Sequence, residues 1–380
     1  MEYGSLDGGK SVLAPSGDAA FALKKANFYY VGKFLLFAII SFIFYNTGST
    51  WIGKIISTVY KGKEAIGATL VARTTSSLAI WFVVHSLVTV CNKNLVDSFQ
   101  FMFHISWLWL HSLIYIALWV GFWFIPDGFF DFYMQAAMYI SFIYLVFQIY
   151  FLIIFFHGLN DKFVTEDNEK CMLAITVFIE LVSITIFGLC YYFYAPGGCD
   201  GNIAIITVNL IITIALFILA FIRENGSIFT ASLVNCYVAY LTASGIMCSP
   251  GGSCSRVSAS TSNIIFTIAA SIFTLLWMAY SAFSSSYQVG DCDCGCGCCG
   301  GEGEEKPEFS LSFFHALFAL ASVYLTMVVT NWGNTKESVA WATNHGVISK
   351  WVNLGASWAS ALLYLWTLIA PCLCPDRDFS

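Results

Sequence analysis

Residues 202–222, "NIAIITVNLIITIALFILAFI", run through 21 positions without one charged side chain. At 1.5 Å per helical residue such a block is about 31 Å long, enough to cross roughly 30 Å of hydrocarbon. No soluble domain needs a helix that is apolar all round, and the block recurs along the chain. Apolar stretches occupy 28–47, 65–90, 98–125, 132–157, 171–194, 202–222, 228–248, 262–283, 309–330 and 352–373. Composition agrees, because 58% hydrophobic against 11% charged residues leaves too few polar groups to cover a soluble surface. The sequence therefore predicts an all-α integral membrane protein of ten spans, 28–373. A flexible polar tail is expected at 1–27 and a short one at 374–380. Nothing basic and clustered suggests nucleic acid.

Breakers mark the connections: "IPDG" at 125–128, "APGGCDG" at 195–201 and "SPGG" at 249–252. Ten spans put both termini on one side. If that side is cytosolic, Lys and Arg divide ten to six in its favour, counting Lys33 among the ten, while Arg73 falls inside a span. The sequon at Asn225 then lies in a tight cytosolic turn, where no glycan is expected. The connection 284–308 is cytosolic on the same reading. It contains the run "DCDCGCGCCGG", with Cys292, Cys294, Cys296, Cys298 and Cys299. Reduced thiols are expected there, leaving S-acylation, soft-metal binding or a plain spacer as the open readings.

Polar residues inside the spans are the candidates for chemistry. His104 and His111 are seven residues apart, about 10 Å along a helix, too far to share one metal ion. They are expected to hydrogen-bond neighbouring helices. No zinc-protease pair, nucleophile elbow or phosphate loop occurs, so neither an enzyme nor a cofactor is expected. Arg73 and Glu180 are costly in hydrocarbon and must face the bundle interior or a wet cleft. Three readings stand for them: a structural ion pair, side chains snorkelling to the interface, or a polar track shared with Gln148, Asn209 and Asn235. Cys199, Cys248 and Cys254 lie in loops on the oxidising face, where a disulfide is expected. Spacing leaves the partner of Cys254 open.

From about residue 68 onward the chain resembles the serine incorporator family (also called SERINC or TMS). The resemblance is carried by "VAR" at 71–73, "FWFIPDGFF", "SFIYLVFQIYFLIIFFHGLND" and "YYFYAPGGCDGN". It continues in "SIFTASLVNCYVAYLTASGIMCSPGGSC", "EFSLSFFHALFALASVYLTMVVTNW" and the C-terminal "WVNLGASWASALLYLWTLIAPCLCPDRDF". It brings Gln148, His157 and Asn160 forward as family-motif positions, and it implies a Cys199–Cys254 bridge. The chain departs from the family pattern in its short first loop, at Ile154 and Leu159, and at Glu180, which stands at an apolar position.

The resemblance implies two helix groups crossed by a long central helix, and a lipid-handling role in the plasma membrane or endomembranes. Two activities follow from it: promoting serine incorporation into phosphatidylserine and sphingolipids, and ATP-independent phospholipid movement between leaflets. The partners so implied are membrane phospholipids and sphingolipids. A serine carrier and a scaffold for lipid-synthesis enzymes are the rival readings. Arg73, Gln148, His157, Glu180 and Asn209 are the expected polar track.

Overall fold

A computed structural model describes residues 17–56, 66–90, 99–165, 169–223, 226–248, 254, 256, 311–330, 332 and 347–373. The expected span 262–283, the cysteine-rich loop, Asn225 and the tail after 373 lie outside the described residues. So does most of the N-terminal tail.

Ten α-helices and no strand occur among the described residues. They are α1 (Gly17–Ile56), α2 (Ile66–Val88), α3 (Phe99–Ile105), α4 (Leu108–Gly121), α5 (Asp127–Thr165) and α6 (Glu169–Tyr194). After them come α7 (Asp200–Ile222), α8 (Ile228–Met247), α9 (Leu311–Thr330) and α10 (Val347–Leu373). Eight of them are long and apolar enough to span a bilayer, and α3 with α4 forms a bent pair, with the geometry of a broken span or a re-entrant loop. This is a multi-pass all-helical membrane protein.

The first third of the chain departs from expectation. Helix α1 begins at Gly17, so part of the polar tail expected at 1–27 is helical. Ala26 and Asn27 are buried, because Asn27 has a partner in His104. Lys33, counted above with the loop charges, is buried inside α1. The third span is not one helix: α3 and α4 meet at 77°. At the joint Trp107 takes the left-handed conformation (φ 55°), which a non-glycine side chain adopts only when its surroundings impose it. Neither Gly nor Pro marks the joint in the sequence. The limbs are instead held by polar contacts, His104 of α3 to Asn27 and His111 of α4 to Tyr30.

Helix α5 organises the rest. Its 39 residues make it about 58 Å long, nearly twice the hydrocarbon thickness. The apolar reading 132–157 saw only its middle. Pro126 precedes its first residue, and Asp127 puts a carboxylate in the first turn, where the helix dipole favours it. Its N-terminal half packs with α2 and α9 over Phe130, Met134, Ala137 and Tyr144. Its C-terminal half packs with α8 and α10 over Ile149, Leu152, Ile153 and Phe156. One group is thus α1–α4 and α9, the other α6, α7, α8 and α10, with α5 shared.

Close approach in the first group relies on small residues. Helix α2 carries the run Arg73-Thr74-Thr75-Ser76-Ser77, and all five are buried. Small hydroxyl residues let helices come close and bond across the seam. Thr75 accepts from Thr326 of α9 (2.7 Å), and the Tyr133 hydroxyl of α5 meets the Thr326 hydroxyl at 2.9 Å. At Gly67 any Cβ would press on the Tyr45 carbonyl, so this crossing of α1 and α2 requires glycine.

Candidate functional site

The intramembrane polar groups gather in three places. The first is Arg73, 1% exposed. The chain ends α4 in a 3₁₀ turn, Phe122–Phe124, ahead of Pro126, which leaves carbonyls without helical donors. Arg73 supplies those donors. It gives N–H bonds to the Phe122 carbonyl (2.6 Å) and the Ile125 carbonyl (2.9 Å). It also pairs with the Asp127 carboxylate at 2.7 Å, while Phe130 covers its guanidinium face at 4.2 Å. Arg73 therefore faces the interior, but its partner is Asp127 and not Glu180. The two intramembrane charges belong to different helix groups and do not converge on one cleft. The clue missed in the sequence was Asp127, hidden in a turn motif.

The second place is a buried histidine cluster in the first group, made by His85, His104, His111 and His315 from four helices. His104 bonds the Asn27 amide oxygen (2.9 Å) and His315 (3.0 Å), and His111 meets the Tyr30 hydroxyl at 3.1 Å. The Lys33 ammonium sits among the rings of Tyr29 (4.7 Å), Trp81 (4.4 Å) and Tyr115 (5.1 Å). No cluster of three or more His, Cys, Asp or Glu side chains placed to hold a metal ion occurs among the described residues.

The third place runs along the second group. On α10, Lys350, Ser357 and Tyr364 recur every seventh residue, so they share a face and cover about 21 Å. On α7, Asn202 and Asn209 have the same spacing. Each meets the other helix: Lys350 donates to the Asn202 amide oxygen (3.3 Å), and Ser357 to that of Asn209 (3.5 Å). The Trp358 indole also donates to Asn209, at 3.0 Å. Tyr364 donates to the Ser227 carbonyl (3.1 Å), beside the His157 ring. Ser227 in turn donates to Asn160 of α5 (2.7 Å) and caps α8 by accepting from the Thr230 amide. The Asn209 amide nitrogen and His157 Nε2 are buried without a hydrogen-bond partner.

Beside this ladder an apolar crevice of about 460 Å³ opens between α7 and α10. Its walls include Val208, Ile212, Ala215, Leu219, Trp358 and Leu362. That volume falls within the roughly 300–1,000 Å³ of ligand clefts. Of the expected track, Asn209 and His157 thus border the second-group ladder. Glu180 stands apart on α6 against Asn235, and Gln148 is buried on α5. The ladder residues Lys350, Ser357 and Tyr364 escaped the sequence reading, although their seven-residue spacing was there to find.

Two loop features fix the ends. Cys199 and Cys254 form a disulfide across 55 residues, and Cys248 is free with Ser349 at 3.4 Å from its sulfur. Gly198, at φ 92°, makes the turn before Cys199, and only glycine adopts that backbone without cost.

Broken and over-long helices around buried polar ladders define a polytopic membrane protein with an intramembrane polar face. The serine incorporator family model matches residues 21–290 and 301–377, and the chain belongs to that family. It is 27% identical to serine incorporator 2 of Bos taurus, over 83% of this chain and 80% of the relative. It is 28% identical to a probable serine incorporator of Dictyostelium discoideum, over 92% of this chain and 93% of the relative. A membrane protein of Schizosaccharomyces pombe is 27% identical, over 71% and 70% respectively.

Proposed function

We propose that this protein handles membrane lipids, moving phospholipids between leaflets without ATP and so serving the supply of serine-derived lipids. The observation that carries the reading is the α7–α10 seam, where a polar ladder runs beside an apolar crevice. A headgroup crossing hydrocarbon unaided must be desolvated, which is the main barrier. Lys350, Asn202, Ser357, Asn209 and Tyr364 offer it successive partners about 10 Å apart, while an acyl chain rests in the crevice. On this reading the protein is not an enzyme, its partners are phospholipids, and both termini face the cytosol.

Purified protein in vesicles containing headgroup-labelled phospholipid should let the inner-leaflet label reach an outer-leaflet quencher without ATP. Ala215→Trp, which fills the lipid-exposed crevice, should slow that exchange severalfold at unchanged melting temperature. Exchange at the wild-type rate in well-folded Ala215→Trp vesicles would remove the crevice from the mechanism. Vesicles that accumulate serine but exchange no lipid would favour the carrier reading.

A further inference from the structure

Glu180 is the charged side chain that the lipid ladder does not use. It lies midway along α6, half-buried, and no Lys or Arg pairs with it among the described residues. Helix α6 packs on α8, α7 and α5. Among the described residues the groups that face the carboxyl both come from α8: the Asn235 amide and the Cys236 thiol. No other titratable side chain of the packed helices acts on it. Asn235 is fully buried, and its amide nitrogen donates to both carboxyl oxygens at 3.4 Å, long for an N–H···O bond. The amide oxygen of Asn235 is buried with no hydrogen-bond partner at all.

Two states of the carboxyl can be weighed against these contacts. Ionised, it brings a full negative charge into an apolar span, where a charge needs an opposite charge or water beside it. Two long bonds from one neutral amide compensate it weakly. A carboxyl so placed is neutralised by taking up a proton rather than kept charged. Protonated, it gains an O–H donor that the carboxylate lacks. The nearby acceptor without a partner is the oxygen of the same Asn235 amide. An acid and a primary amide match in both directions, N–H to the acid's oxygen and O–H to the amide's. The buried amide nitrogen thus keeps its partner and the orphan oxygen gains one, whereas a carboxylate supplies only the first bond. Because Glu180 is half-buried rather than sealed, the proton can leave and return.

We infer that Glu180 and Asn235 form a reversible proton-binding site between α6 and α8, in which the bound proton fastens the two helices together. The site is independent of which molecule the protein moves. The test treats the purified full chain, in detergent at fixed ionic strength and a series of pH values, with dicyclohexylcarbodiimide. This apolar reagent adds to a carboxyl group in its protonated form and stays on it as an N-acylurea, which peptide mapping locates. Glu180 should be labelled, severalfold more slowly as the pH rises, while Asp127 beside Arg73 stays unlabelled. Asn235→Leu should displace the pH at which labelling halves. Melting points give a second readout. A folded chain that keeps a proton which the unfolded chain releases to water loses stability as pH rises. Wild type should therefore lose melting temperature with rising pH relative to Glu180→Gln, which has no such proton to lose. Glu180 that stays unlabelled at every pH, or is labelled equally at all of them, overturns the site, even should Glu180→Gln fail to fold. The same pH course of melting in wild type and Glu180→Gln does so too. A labelling midpoint unmoved in Asn235→Leu overturns the pairing with Asn235.

Discussion

The two helix groups differ in how close their buried polar residues lie to the lipid-facing surface. In the first group they are sealed: 83% of the apolar window of α2 and 72% of that of α9 are buried. Thr75, Thr326, His104 and Arg73 find partners inside the bundle, although His85 Nε2, His315 Nδ1 and Trp81 Nε1 are buried without one. In the second group α6 and α7 bury only 22% and 28% of their windows. There the polar residues of the ladder lie beside a crevice. Sealed polar groups determine how helices seat against one another. Polar groups beside a lipid-facing crevice are placed to exchange partners with something that passes.

The comparison breaks most visibly at Arg73. Removing one partner of a buried pair costs roughly 3–5 kcal/mol, since the other charge and its carbonyls are stranded. Arg73→Met should therefore lower the yield of folded protein sharply, measured by size-exclusion profile and melting point. Whatever folds should move lipid at the normal rate per molecule. Loss of lipid movement with unchanged stability would mean that Arg73 belongs to the track after all.

The disulfide comes next. In the chain-entropy account a 55-residue loop is worth about 4 kcal/mol, so Cys199→Ser should lower the melting temperature by many degrees. The loss should be largest in hydrogen exchange of the α6–α7 turn, whose Asn202–Tyr194 bond the bridge supports. Protection unchanged there would show that the turn stands without the bridge.

A smaller effect is expected at Tyr30, whose hydroxyl joins His111 and the His104 carbonyl. Tyr30→Phe should cost about 1–3 kcal/mol, the penalty for leaving buried partners unmatched, and should leave lipid movement per folded molecule intact. A change in transport without a change in stability would place the histidine cluster in the mechanism.

What the sequence made legible follows from these contrasts. Apolar block length matches the ends of α2, α6, α7, α8 and α9 within a few residues, because hydrocarbon thickness leaves little freedom, whereas α1 runs from Gly17 to Ile56, well beyond the block at 28–47. It understated α5, since the turns that extend that helix beyond the bilayer look like polar loop. It missed the break at Trp107, because that bend comes from partners on α1 and α9 and not from a local breaker residue. Arg73 was rightly marked as interior, but a side chain's partner is a tertiary fact, and Asp127 had been assigned to a turn. The ladder was visible as a seven-residue period in α10 yet passed unnoticed, because Ser357 and Tyr364 are unremarkable singly. The Cys199–Cys254 pairing was suggested by family resemblance alone, spacing having left Cys248 as an alternative.

The most direct test of the account is a pair of variants compared in the same vesicles. Asn209→Leu removes the central rung of the second-group ladder, whereas Ser86→Ala removes a sealed hydroxyl that bonds Ser312 in the first. Headgroup-labelled phospholipid exchange should fall severalfold in Asn209→Leu and stay at the wild-type rate in Ser86→Ala, each normalised to folded protein. Equal rates in the two variants, or wild-type protein that exchanges no lipid, would contradict it.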